Sequence, residues 1–135
     1  MSVTHPPDLV CMADVPSMFD GDGADSVVMV GRCRYPGIVN SVEFIPNWTL
    51  AGTDTNYRTI NVYNRGTAGA GTTLIATLAL TAGVDLTKFV AKTIPITAGN
   101  GTVAVGDVLE YVSSPTASGA PEVGGKVIVQ QSLGS

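Results

Sequence analysis

Residues 57–64 read YRTINVYN. Ile60 and Val62 fall on one side of an extended chain, and Tyr57, Thr59 and Tyr63 on the other. That two-residue alternation belongs to a strand with one face in a core. The stretch is preceded by a Gly-, Asp-, Asn- and Thr-rich segment at 47–56 and followed by RGTAGAG at 65–71, both turn chemistry.

The same grammar extends in both directions. Residues 38–46 (IVNSVEFIP) place Ile38, Val42 and Phe44 on one face, with Ser41 and Glu43 on the other. Residues 26–35 (SVVMVGRCRY) form a β-branched run broken by Pro36-Gly37. Downstream, 72–81 (TTLIATLALT) sets Leu74, Ala76, Leu78 and Leu80 on one face, and its Thr-Thr start and Ala82-Gly83 exit favour strand over helix. The run 89–96 contains Pro95, the mark of an edge strand or a strand end. Residues 102–105 and 108–113 flank Gly106-Asp107 and read as a hairpin. KVIVQQ at 126–131 closes the pattern. No stretch shows helical apolar spacing. Seven or eight strands with turn signals every 8–12 residues predict an all-β sandwich over residues 26–135.

With 135 residues and 13% charged residues, the chain is one domain in length and too apolar to be disordered. No apolar run reaches the ~18–20 residues of a membrane helix. The first twenty residues have no Lys or Arg and no apolar core, so no secretory signal is expected. The net charge is −4, which opposes non-specific nucleic-acid binding. The acidity is local: residues 1–25 hold Asp8, Asp14, Asp20, Asp22 and Asp25 and no Lys or Arg.

That first segment, 1–25, differs from the rest. Pro6, Pro7 and Pro16 oppose helix, yet Val10, Met12, Val15, Met18 and Phe19 are apolar. It is expected to be an extended arm that orders on docking, either on its own sandwich or on a neighbouring subunit or shell protein.

Reactive constellations are sparse. The single His, His5, lies in the Pro-rich segment, far from the geometry of a triad. Glu43, Asp54, Asp85, Asp107, Glu110 and Glu122 sit mostly in turns, where Asp is structural. Asp20-Gly21-Asp22-Gly23-Ala24-Asp25 opens like a calcium loop, but position 5 is Ala24 and position 12 is Gly31, so the EF-hand pattern fails. Residues 66–73 (GTAGAGTT) lack the Lys of a phosphate cradle. Cys11 and Cys33 form no zinc pattern. Arg58 is assigned to tying down the 52–56 loop. Trp48 reads as a core or interface anchor, or as a sugar platform. Asn47-Trp48-Thr49 matches the glycosylation acceptor but has no signal to serve it. No cofactor and no metal are expected.

The residues Gly52-Thr53-Asp54-Thr55-Asn56-Tyr57-Arg58-Thr59, then Asn64-Arg65-Gly66 and Ala68-Gly69-Ala70-Gly71-Thr72-Thr73, resemble a small protein encoded among the head genes of tailed bacteriophages. Val105-Gly106-Asp107-Val108-Leu109 and the final strand after Gly124 are similar to it too, so the resemblance spans about residues 36–131. It implies a capsid decoration (cement) or head-fibre protein with a jelly-roll-like sandwich, often trimeric at local threefold positions. The expected partner is the major capsid protein on the shell exterior, after assembly in the host cytoplasm. The first segment, outside the resemblance, would supply Val10, Met12, Val15, Met18 and Phe19 to the shell or a neighbour. Phe44, Trp48 and Tyr63 would serve a homotrimer interface. The alternative is a glycan- or receptor-binding module of a tail fibre or spike.

Overall fold

Alternation along the chain produces nine strands in the computed structural model, which describes residues 9–18, 24–116 and 120–133. They are β1 Leu9–Val15, β2 Ser26–Arg32, β3 Gly37–Pro46, β4 Arg58–Asn64, β5 Thr73–Ala79, β6 Lys92–Thr93, β7 Thr102–Val103, β8 Val108–Pro115 and β9 Gly125–Leu133. Two antiparallel sheets result. One has the order β1-β9-β3-β6, with β7 also paired to β3; the other runs β2-β8-β4-β5. The all-β sandwich expected from the sequence is what forms.

The pairing has a simple logic. β4 pairs with β5, β3 with β6 and β7, β2 with β8, and β1 with β9. The chain is one long hairpin, folded over so that its successive rungs alternate between layers. The lateral pairs β3–β9 and β4–β8 then seal each sheet.

β4 follows its sequence pattern: Ile60 and Val62 are buried, with Arg58 on the same inner face. β3 departs from it. A register shift between Val39 and Ser41 inserts an extra residue, so Val39 turns inward while Ile38, expected in the core, is 57% exposed. A bulge reverses the alternation on its far side. In β5, Ile75 and Ala76 are both buried, while Leu74 and Leu78 are only half-buried, next to a shift in the β4–β5 register at Val62/Tyr63. The expected Leu-rich face is corrected accordingly.

Two further expectations change. The 102–113 segment is not a hairpin: β7 bonds to β3 in one sheet and β8 belongs to the other. Its Gly106-Asp107 turn forms, but it carries the chain from one layer to the other, held by bonds between Cys33 N–H and Asp107 O and between Gly106 N–H and Cys33 O. Residues 9–15 are an edge strand of the five-stranded sheet: the first segment docks on its own sandwich, one of the two outcomes expected for it, and the sandwich begins well before residue 26. Val15 is buried among core residues and is no surface contact.

The core joins the layers through Phe44 of β3 and Tyr111 of β8, whose rings stack at 5.6 Å between centroids. Each such burial contributes roughly 1.5–3 kcal/mol before cavity effects. Phe44 is 0% exposed, so it builds the interior and not an oligomer interface. Gly124, just before β9, and Gly125, its first residue, both have positive φ. A Cβ on Gly125 would meet the Ile45 carbonyl at 2.1 Å, so only glycine lets β9 enter the sheet this close to β3.

Candidate functional site

One end of the sandwich is organised by a buried polar network. Arg58 is 1% exposed. Its Nε donates to Ser113 Oγ at 2.8 Å, Nη1 to the Ala120 carbonyl at 2.9 Å, and Nη2 to the Ala24 and Ser113 carbonyls at 2.7 and 3.0 Å. A guanidinium presents five donors in a fixed fork, and this one fastens β8 to the chain on both sides. Its side chain therefore serves the interior, not the 52–56 loop to which the sequence assigned it. Beside it, Tyr111 Oη donates to Glu122 Oε1 at 2.6 Å, and Glu122 Oε2 accepts from Gly124 N–H. Burial, then the Glu122 carboxylate, push the Tyr111 phenol well above its ordinary pKa. The network is sealed inside the protein, so it holds the fold.

On the same end, outside, lies an aromatic tip. Lys88 Nζ sits 5.0 Å from the Trp48 ring centroid and 4.9 Å from that of Phe89. Trp48 is 50% exposed and Phe89 69%, with Val90 exposed beside them. Phe89 has φ of 63°, a left-handed conformation that is an outlier for a bulky residue. It is held there by Phe89 N–H to Pro46 O at 2.9 Å, Val90 N–H to Thr87 O at 3.0 Å and Lys88 N–H to Thr49 Oγ1 at 3.0 Å. The backbone thus maintains an apolar ring pointing into solvent. Strain of this kind, about 1–3 kcal/mol, concentrates at functional surfaces.

A second apolar surface runs along the rim where β1 and β2, the terminal strands of their sheets, lie side by side. Val10, Met12, Val27, Met29 and Tyr35 are all exposed there. A cavity of about 170 Å³ opens at one end of this rim, lined by Val10, Cys11, Arg32, Cys33, Arg34, Tyr35 and Gln131. Both cysteines are free thiols. Burial, then the nearby Cys11 and Asp107, push the Cys33 thiol up to about 11, so at neutral pH it is protonated and a poor nucleophile.

The remaining sequence candidates have structural places. Asp54 Oδ1 accepts from Ala82 N–H, Asp85 Oδ1 from Gly52 N–H, and Asp107 Oδ2 from Ala104 N–H and Asn64 Nδ2. These are turn-closing carboxylates. Glu110 pairs with Arg65 at 2.7 Å, and Arg65 also lies 4.3 Å over the Tyr63 ring, leaving Tyr63 half-buried. Met18 is half-buried too, its N–H bonded to Glu122 O. His5, Phe19, Asp20 and Asp22 lie outside the described residues. Of the expected contact residues, Val10 and Met12 come together on the rim and Trp48 stands on the tip. Phe89 was missed, because the strain that exposes it has no signature in a Lys-Phe-Val triplet. No protein-family model matches the chain, and no curated protein matches it.

Proposed function

We propose that this is a virion structural protein of a tailed bacteriophage, which decorates and stabilises the capsid exterior by binding the major capsid protein lattice. The observation that carries the reading is the tip: Trp48, Phe89 and Val90 held out in solvent by a strained backbone on a sandwich body. Such an exposed apolar cluster suits a protein surface, and Trp and Phe in that position suit anchoring. The sequence resemblance supplies the identity of that surface. The folded-over hairpin supports the finer description as a jelly roll, with β6 and β7 sharing one edge position. Individual contacts can be weak, because many copies engage one lattice and self-association couples them. The resemblance gives threefold clusters as the arrangement.

The test is co-sedimentation of the purified protein with undecorated shells of its phage. Trp48→Ala with Phe89→Gly lowers occupancy at least about tenfold. Undiminished occupancy refutes the tip as the shell contact, and absence of the polypeptide from purified virions refutes the function.

The half-exposed Trp48 also favours a second reading, a glycan- or receptor-binding module of a tail fibre or spike. Binding to a glycan array that is lost on Trp48→Ala, without shell binding, selects that reading.

A further inference from the structure

Sheet edges invite pairing with other chains unless they are blunted. Among the described residues, three of the four edge positions here are. β2 is bulged between Met29 and Gly31. β5 is covered by the following chain, through Thr77 N–H to Pro95 O at 3.1 Å and Thr97 N–H to Ile75 O at 2.7 Å. β6 and β7 are two residues each. β1 has none of these three devices, although β2 of the other sheet lies alongside it and Asp14 places one charge on it. Its seven residues, LVCMADV, hold an unbroken register from Leu9↔Gln131 to Val15↔Gly125. They contain no Pro, Lys or Arg, and their outer face shows Val10 and Met12 to solvent.

The rim beside β1 is electrically polar along its length. At the Val10 end stand Arg34 and Arg32, which line the same cavity as Val10, the Arg32 guanidinium lying towards Gly106. Neither has an acidic partner among the described residues. At the Val15 end stand Asp14, 3.5 Å from Lys126, and Asp25, which leads into β2 at Ser26. β1 and β2 run in opposite directions, since Cys11 packs over Gly31 while Val10 reaches the cavity with Arg34 and Tyr35.

We propose that β1 is a self-association edge: two copies pair β1 to β1 antiparallel about a twofold axis near Met12, making one continuous sheet from two. In that arrangement Met12 meets its counterpart, and the arginine end of each rim meets the aspartate end of the other. Parallel pairing would set like charges against like, at a cost. The charges therefore select the twofold, and a second copy of this chain is the occupant that matches them. This deepens the self-association of the proposed function and replaces its threefold arrangement with a closed, isologous one.

The test is sedimentation equilibrium of the full chain. A species of twice the 13.8 kDa chain mass is expected, dissociating at lower concentration and higher salt. Met12→Lys, on an exposed position, weakens the dimer at least about tenfold while leaving the circular dichroism unchanged. Asp14→Arg and Arg34→Asp each weaken it, and the double variant, which exchanges the two ends, restores it. A monomer at every concentration, a trimer, or a dimer indifferent to all three substitutions overturns the inference. Shell binding is read separately through Trp48 and Phe89. A dimer that ignores shells refutes decoration and leaves the edge pairing standing, and a shell-binding monomer does the reverse.

Discussion

The Tyr111 hydroxyl donates a 2.6 Å hydrogen bond to the buried Glu122 carboxylate, and the Tyr111 ring stacks on Phe44 of the opposite sheet. One side chain thus joins the two layers and fixes the carboxylate that receives Gly124 N–H. Tyr111→Phe keeps the ring and removes the donor, leaving Glu122 Oε1 buried without it. The expected cost is about 1–3 kcal/mol, read as a lower urea midpoint at unchanged slope.

Arg58 makes its bonds through a planar fork, and an ammonium cannot reproduce them. Arg58→Met removes the donor from the buried Ser113 hydroxyl and carbonyl, and from the part-buried carbonyls of Ala24 and Ala120. The expected loss is about 2 kcal/mol or more, since a buried carbonyl left without a partner costs about 1–3 kcal/mol and the part-buried ones, open to water, cost less. Arg58→Lys recovers less than half of it. Full recovery by lysine in denaturant titrations would show that charge alone matters here.

Stability should fall in alkali through identifiable groups. The Cys33 thiol is raised from 9.0 to about 11, chiefly by burial, and the Tyr111 phenol is raised as well. Both favour the protonated form in the folded state. Their stabilising contribution is complete below pH 9, where the unfolded thiol is still protonated. For Cys33 it is lost as the pH rises from 9 to about 11, because the unfolded chain releases its proton first. Melting temperatures measured from pH 7 to 11 should decline over that window. Cys33→Ala should flatten the decline, and an unchanged slope would refute the assignment.

The fold class was legible because strand alternation is a local property: β4 announced its inner face through Ile60 and Val62. What escaped the sequence was non-local. The bulge beside Asn40 inverts Ile38 and Val39, and nothing in IVNSVEFIP marks an extra residue; the β9 partner defines it. β1 was readable as apolar, but its place beside β9 depends on a strand more than a hundred residues away. Arg58 looked like a loop residue because a buried guanidinium needs carbonyls from distant segments, which no spacing reveals. At the site, Trp48 was visible as an aromatic in a loop. Phe89 was not, since its exposure follows from a backbone angle imposed by Pro46 and Thr49.

That angle gives the sharpest test of the tip. Phe89 occupies φ of 63°, where a non-glycine residue costs about 1–3 kcal/mol. Glycine adopts it freely. Phe89→Gly forfeits the Lys88 contact, worth about 0.5–1 kcal/mol at an exposed site. It also loosens the unfolded chain, which opposes the gain. Strain relief still outweighs these terms when it is near the upper part of its range, so the variant should be as stable as the wild type or up to about 1 kcal/mol more stable. Phe89→Ala, which keeps the strain and loses the ring, should be less stable than Phe89→Gly by about 1 kcal/mol. Both should lose shell binding equally, because both lack the ring. A ring that can be deleted without loss of stability, yet not without loss of attachment, is one the fold keeps for its partner. If Phe89→Gly unfolds the protein or binds shells as wild type does, the ring belongs to folding or to nothing, and the tip is not the anchor.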